Sequence, residues 1–108
     1  MRIGIVAPVW LPVPPEGYGG IELVVSLLTE GLVERGHDVT LFGAPGSSTK
    51  ATLVTDLAEP PNRSQLGNAW YDAYHALASY QRLADFDIVH DHAGIMGPVC
   101  AAMRGGIP

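Results

Sequence analysis

Short apolar runs alternate with longer segments of helical periodicity along this chain. The apolar runs predict four β-strands, at residues 3–7, 39–42, 51–55 and 87–90. The longer segments predict three α-helices, one from Ile21 to a stop at Gly36 and two at residues 65–84 and 95–104. Such alternation is typical of parallel sheets with helices packed on their faces. The pattern therefore predicts an α/β domain with an open, mostly parallel sheet flanked by helices, and the last strand is expected to be buried.

The first helix shows the periodicity most directly. Its apolar positions are spaced i, i+3, i+4, i+7 and i+11: Ile21, Val24, Val25, Leu28 and Leu32. Gly36 then ends the helix, because glycine readily adopts the left-handed conformation found after many helices. The pattern predicts an amphipathic helix of about four turns.

A long, proline-rich loop connects the first strand to this helix, and Gly19-Gly20 opens the helix. Glycine has no Cβ, so a ligand can approach the backbone closely at these positions. The N-terminus of a helix carries unpaired N–H groups and a partial positive charge, which together attract anions. The loop therefore predicts a phosphate-binding site at Gly19 and Gly20.

Composition and charge narrow the function classes. The chain has 108 residues, enough for one domain, and 47% are hydrophobic against 16% charged, which excludes a disordered chain. The six basic residues are scattered and the net charge is −5, so no nucleic-acid partner is expected. The single cysteine cannot form an internal disulfide, and no secretory leader follows Met1. We therefore expect a cytoplasmic protein.

Four motifs occur in an order that is specific as a set, although each is weak alone. They are Pro-Pro-Glu-Gly-Tyr-Gly-Gly-Ile-Glu at 14–22, Arg-Gly-His-Asp-Val-Thr-Leu-Phe at 35–42, Gly-Ser-Ser-Thr at 46–49 and Asp-Phe-Asp-Ile-Val-His-Asp-His at 85–92. Together they resemble the N-terminal domain of the family 4 retaining glycosyltransferases, of the GT-B type. The resemblance covers nearly the whole chain. It implies a Rossmann-like fold and transfer of a sugar, with retention, from a nucleotide-sugar donor to a hydroxyl acceptor.

In this family, two Rossmann-like domains face a cleft; the N-terminal domain mostly holds the acceptor and the C-terminal domain mostly binds the nucleotide sugar. The resemblance implies that residues 1–108 are the acceptor-side domain, that a donor-binding domain is missing after Pro108, and that this chain alone is inactive. The expected partners are the nucleotide-sugar donor, a sugar, lipid or small-molecule acceptor, and the missing domain. Neither a metal nor a cofactor other than the nucleotide sugar is expected, and no catalytic residue is assigned.

The resemblance also assigns residues around the proline-rich loop. Gly19 and Gly20 match the family's glycines that approach the donor diphosphate, in agreement with the helix-terminus argument. Glu22 is a candidate for binding an acceptor hydroxyl, with complementing the helix dipole as its simpler role. Tyr18 and Trp10 are candidates for stacking on an acceptor ring, or for covering the core. Gly19→Val is expected to block the diphosphate while leaving the fold nearly intact.

His90, Asp91 and His92 lie at the carboxyl end of the last predicted strand, at the edge where open α/β sheets bind ligands. Alternation along the strand places His90 and His92 on one side. All three are candidate acceptor-binding residues, and the alternative is a structural role in which an imidazole bonds to loop carbonyls. No metal site is expected, because no further histidine or cysteine follows at a ligand spacing.

Two other functions stay open. A strand, loop and helix with glycines is also the dinucleotide fingerprint of oxidoreductases, but that fingerprint needs Gly-x-Gly-x-x-Gly in a tight turn after the strand. Here the glycines follow a loop of about ten residues, which disfavours a dinucleotide site. A non-catalytic module that binds a sugar or a partner would explain the lack of a donor-binding half. The sequence assigns no role to His37 or His75.

Overall fold

The computed structural model describes residues 1–108, apart from the side chain of Arg63. All four predicted strands and all three predicted helices are present, in the predicted order. They are β1 (Arg2–Val6), α1 (Gly20–Glu34), β2 (Asp38–Phe42), β3 (Thr52–Val54), α2 (Ala69–Tyr80), β4 (Ile88–Asp91) and α3 (Met96–Arg104), with a short 3₁₀ turn at Arg63–Gln65. The hydrophobic pattern therefore predicted the α/β class correctly.

The four strands form one parallel sheet in the order β3-β2-β1-β4. Ile5 in β1 lies opposite Leu41 in β2 on one side and His90 in β4 on the other. The chain moves to one side of β1 to form β2 and β3, then returns to the other side to form β4. The strand order therefore reverses direction between β1 and β4, and the crevice beyond the carboxyl ends of such a strand pair is where open α/β sheets bind ligands.

Helices cover both faces of the sheet. On one face, Ile5 and Leu41 pack beneath α1 around the fully buried Val25. On the other face, Val6 and Phe42 pack beneath α2 and α3. Neighbouring residues of β1 and β2 thus enter opposite halves of the core, as the two-residue period of a strand requires. Both central strands are fixed from both sides, which makes their carboxyl ends a rigid base for a site.

The last strand differs from its prediction. Ile88 and His90 are exposed, and Ile88 keeps 45% of its surface accessible. The prediction of a buried strand was wrong because β4 lies at an edge of the sheet, and the core beneath α1 is built on β1 and β2 with no residue of β4. Only Val89 packs into the core beneath α2 and α3. A short apolar run identifies a strand but does not give its position in the sheet.

The second helix is shorter than its periodicity predicts, at Ala69–Tyr80 instead of 65–84. Gly67 has φ +80°, a left-handed conformation that interrupts helical geometry. The Asn68 side chain then caps the helix by accepting a hydrogen bond from the Trp70 N–H at 2.9 Å. The apolar periodicity continues through this break, so periodicity alone places the start of the helix too early.

The apolar face of α1 is only partly buried. Val25 is fully buried, and Leu28 and Leu32 pack at the edge of the core, but Ile21 and Val24 are more than half exposed. The buried positions of α1 are instead Glu22, Val25 and Thr29, which are spaced i, i+3 and i+7. The pattern predicted the helix correctly and overstated its buried face.

Candidate functional site: a cleft beyond β1 and β4

One cleft lies beyond the carboxyl ends of β1 and β4, where the strand order reverses. Its volume is about 480 Å³, and it is open to solvent on one side. The loop after β1, the start of α1, the segment before α2 and the loop after β4 surround it. The lining residues are Pro8, Trp10, Leu11, Tyr18, Gly19, Gly20, Ile21, Glu22, Leu66, Gly67, His92, Ala93 and Gly94. The cleft therefore brings together the two regions that the sequence selected separately.

The N-terminus of α1 faces this cleft. Gly19 is the N-cap residue, and no side chain caps the helix there. The first intrahelical hydrogen bond runs from the Leu23 N–H to the Gly19 carbonyl, at 3.0 Å. The N–H groups of Gly20, Ile21 and Glu22 therefore lack an intrahelical acceptor, as in the first turn of any helix. These groups and the helix dipole make the terminus suitable for an anion.

The two glycines differ in what they permit. Gly19 has φ +152°, and a Cβ there would lie 2.8 Å from the Pro15 Cβ and 3.1 Å from the Glu22 Oε1. A Cβ on Gly20 would meet nothing within 4 Å. The expectation that Gly19→Val leaves the fold intact is therefore wrong, because valine at Gly19 would displace the loop. Gly20 is the position where an added side chain would enter open space.

Glu22 lies within the first turn of α1 and lines the cleft, although only 5% of its surface is exposed. Its carboxylate lies beside Gly19, close enough that a Cβ on Gly19 would contact it. The helix terminus stabilises a carboxylate at this position. Glu22 is thus a buried hydrogen-bond acceptor at the wall of the cleft, next to the predicted phosphate site.

Of the three candidates at the carboxyl end of β4, namely His90, Asp91 and His92, only His92 lines the cleft. Its backbone N–H donates a hydrogen bond to the Val6 carbonyl at 2.8 Å, which continues the pairing of β4 with β1. Burial, and then the neighbouring His90, lower the pKa of His92 below its ordinary value. The imidazole is therefore neutral at neutral pH. Its Nε2 atom is buried and has no hydrogen-bond partner among the described residues.

His90 and Asp91 lie outside the cleft. The His90 ring stacks on His92, with centroids 4.3 Å apart, so the two histidines share one side as strand alternation predicts. Asp91 points to the opposite side, where its Oδ2 accepts a hydrogen bond from the Tyr80 hydroxyl and its Oδ1 accepts one from the Ala93 N–H, both at 2.6 Å. Asp91 therefore joins α2 to the loop that carries His92. Because neither His90 nor Asp91 lines the cleft, acceptor binding by these two residues stays a prediction.

The structure also gives a position to His75, which the sequence left without a role. The side chain is buried, and its Nε2 lies 2.7 Å from the Ala7 carbonyl oxygen at the end of β1. A carbonyl only accepts, so Nε2 carries the proton. On the other side of the ring, Nδ1 lies 3.8 Å from the buried Asp56 Oδ2. The position of His75 one turn before Ser79 indicates a buried face, but no local signal connects it to Asp56 or Ala7.

Within the described residues, no group of three or more His, Cys, Asp or Glu side chains is arranged to hold a metal ion. No helix in the part of the chain that the structure describes combines the length and the apolar character needed to cross a bilayer.

Comparison with known proteins decides the family. The family model described as Glycosyltransferase Family 4 matches residues 18–108, which include the start of α1 and the loop after β4. The chain belongs to glycosyltransferase family 4. The family assignment confirms the resemblance of the four motifs and favours a glycosyltransferase over a dinucleotide-dependent oxidoreductase.

A solved structure supports the same assignment. The family 4 chain is similar to AviGT4, described as a glycosyltransferase involved in Avilamycin A biosynthesis, with 31% sequence identity and a TM-score of 0.60. The alignment covers 89% of the present chain and 27% of AviGT4, so the chain spans about a quarter of the length of that structure. No curated protein sequence matches the chain.

Proposed function

We propose that this chain is the acceptor-side, N-terminal domain of a retaining glycosyltransferase that moves a sugar from a nucleotide-sugar donor to a hydroxyl acceptor. The observation that carries the proposal is the cleft beyond the carboxyl ends of β1 and β4 in a chain of family 4. The uncapped N-terminus of α1 and His92 both line this cleft. In the whole enzyme, a second, donor-binding domain would close this cleft. The greater length of AviGT4 is consistent with that arrangement.

The N-terminus of α1 would bind the donor diphosphate. As the bond between sugar and diphosphate breaks, negative charge grows on the departing phosphate oxygens. The N–H groups of Gly20 and Ile21 would donate hydrogen bonds to these oxygens and stabilise the transition state, because they are fixed in position before the reaction. Gly19 and Gly20 have no side chain to keep the phosphates away. The proposal requires no metal, since the helix terminus supplies part of the neutralising charge.

The acceptor would lie between the loop after β1 and the loop after β4. Glu22 can only accept hydrogen bonds when ionised, so it suits a sugar hydroxyl rather than a phosphate oxygen. A neutral imidazole has one donor and one acceptor nitrogen on opposite sides of the ring, so His92 can bind a hydroxyl group either as a donor or as an acceptor. Tyr18 and Trp10 offer flat apolar faces to the acceptor. Asp91 and His90 would act indirectly, by orienting the loop and the ring of His92.

Gly20→Val tests the diphosphate site. The added side chain would enter the open space in which the proposal places the phosphates, so we expect the affinity for a nucleoside diphosphate to fall at least about tenfold, equivalent to about 1.4 kcal/mol. Titration calorimetry of the protein with UDP, GDP and ADP measures this change. Gly31→Val is the matched control, because Gly31 lies on the same helix away from the cleft and also has no neighbour within 4 Å of an added Cβ.

One outcome of comparing the two valine variants would contradict a phosphate site at the N-terminus of α1. If at least one diphosphate binds and Gly20→Val and Gly31→Val bind it equally well, the phosphates do not bind at the N-terminus of α1. Circular dichroism spectra of both variants should match the parent, which separates lost binding from lost folding.

A further inference from the structure

A second cavity lies beside the cleft and is lined mainly by the proline-rich loop. Its volume is about 620 Å³. It is lined by Trp10, Leu11, Pro12, Pro15, Glu16, Gly17, Tyr18, Pro61 and Leu66. Trp10, Leu11, Tyr18 and Leu66 line both spaces, so the two cavities share one wall. A single ligand can therefore contact both.

The Trp10 ring in this shared wall is held in place by α2. It makes an edge-to-face contact with the Tyr71 ring, with centroids 6.2 Å apart and planes at 65°. The Tyr71 hydroxyl in turn accepts a hydrogen bond from the Gln65 Nε2 at 2.5 Å. Tyr71 and Gln65 line neither cavity, and their contacts fix the orientation of the Trp10 ring before any ligand arrives. Such preorganisation lowers the entropic cost of binding.

The part of the wall that Pro12 and Pro15 form is also anchored. Val13, between the two lining prolines Pro12 and Pro15, is fully buried in the core. Its backbone N–H donates to the Ser47 Oγ at 2.9 Å, and its carbonyl accepts from the Ser48 N–H at 2.8 Å. The loop is therefore fastened to the turn after β2, and the second cavity has two fixed walls.

The lining of the second cavity indicates the chemistry of its ligand. Aromatic, leucine and proline side chains provide most of the surface, and Glu16 is the one ionisable group besides Tyr18 among the lining residues that the structure describes. Flat apolar faces bind flat apolar partners, through area burial and through offset or edge contacts between rings. A carboxylate at the rim disfavours an anionic partner.

We propose that the second cavity binds the apolar body of the acceptor, with an aromatic or similarly flat, uncharged ring stacked on Trp10, while the reacting hydroxyl lies in the cleft. Tyr71 and Gln65 are positioning residues that hold the Trp10 ring. This inference rests on the proposed function, because it identifies the larger of the two cavities with part of the acceptor. It narrows the acceptor from any hydroxyl compound to one that carries a flat apolar group.

The test compares phenyl β-D-glucopyranoside with methyl β-D-glucopyranoside, two probes that differ only in the group that the second cavity would bind. Dissociation constants are measured by saturation-transfer NMR on the protein and on Trp10→Ala. We expect the phenyl probe to bind about tenfold more tightly than the methyl probe, and Trp10→Ala to abolish this preference. Trp10→Phe should restore most of it, because a flat ring returns to the wall.

Trp70→Ala is the matched control. Trp70 is the only other tryptophan of the chain, lies on α2 beside Tyr71, is 73% exposed and lines neither cavity. We expect it to keep the preference for the phenyl probe. Tyr71→Phe removes the hydrogen bond to Gln65 and keeps the ring, so the preference should weaken about two- to threefold with no change in the circular dichroism spectrum.

Equal affinity of the protein for the two probes, failure of both to bind, or a preference that survives in Trp10→Ala would overturn the inference. The proposed function is tested separately, because diphosphate binding at the N-terminus of α1 is measured without any acceptor. Equal diphosphate binding by Gly20→Val and Gly31→Val would contradict the proposed function even if the protein prefers the phenyl probe.

Discussion

Gly97→Ala should lower the free energy of unfolding by about 3 kcal/mol, through a contact that lies outside the cleft. A Cβ on Gly97 would lie 1.8 Å from the Asp91 Oδ2 and 2.7 Å from the Tyr80 hydroxyl oxygen. Alanine must therefore push α3 away from β4 or break the 2.6 Å hydrogen bond between Tyr80 and Asp91. Overpacking a core costs about 1–3 kcal/mol, and losing a hydrogen bond to a charged group costs about 1.5–3 kcal/mol.

Burial of Tyr80, and then its hydrogen bond to Asp91, raise the pKa of the phenol. The hydroxyl thus remains a donor throughout the ordinary pH range, and the bond to Asp91 is present at any pH at which the carboxylate is ionised. Because Asp91 also accepts from the Ala93 N–H, its displacement would move the loop that carries His92. We expect Gly97→Ala to impair the cleft as well as the fold.

Urea denaturation of Gly97→Ala and Gly31→Ala measures the effect. Gly31 lies within α1 and has open space around an added Cβ, so alanine there should stabilise the protein by about 0.5–1 kcal/mol through the better helix propensity of alanine. A Gly97→Ala protein within about 0.5 kcal/mol of the parent would contradict the close packing of α3 on Asp91.

His75→Leu should cost about 2–4 kcal/mol, the second large effect. The substitution leaves the Ala7 carbonyl buried without its donor and removes the group that faces the buried Asp56 carboxylate. An unsatisfied buried polar group costs about 1–3 kcal/mol, and the packing lost around the replaced ring adds to this cost. Ala7 directly follows β1, and the next residue, Pro8, lines the cleft, so the substitution should also disturb the start of the proline-rich loop.

Urea denaturation of three further variants separates the stability that the contacts of His75 contribute from the stability that burial of its ring contributes. His37→Leu makes the same substitution at a partly exposed histidine and should change stability by less than about 0.5 kcal/mol. Asp56→Leu and the double variant complete a thermodynamic cycle, which should give a coupling energy of about 1 kcal/mol or more for the His75–Asp56 pair. Additive single effects would show that the two side chains do not interact.

The sequence predicted the order of strands and helices because each element is encoded by its own local pattern. The apolar runs of β1 and β2 are buried on both faces, and Gly36 with φ +87° follows the end of α1. The exposure of β4 was not predictable, since it depends on which strands lie next to one another. The start of α2 was missed because Gly67 and Asn68 interrupt a pattern that continues through them.

The candidate site was predictable to the extent that it depends on strand and helix ends. Gly19, Gly20 and His92 lie at or next to a strand or helix terminus, so the sequence alone selected all three as candidates, and the structure brings them to one cleft. Asp91 was grouped with the histidines although its side chain points to the other side of β4, as strand alternation itself requires. The second cavity was missed because Pro61 and Leu66 reach the proline-rich loop from a distant part of the chain.

We propose above that the N-terminus of α1 binds the donor diphosphate. The most direct measurement is an amide NMR titration of the protein with UDP-glucose and GDP-mannose, with uridine and guanosine as controls that lack phosphate. With at least one donor, we expect the N–H signals of Gly20, Ile21 and Glu22 to move most, with a dissociation constant on the order of 1 mM. Neither nucleoside should move them. Shifts confined to other regions, or equal shifts with the nucleosides, would contradict it.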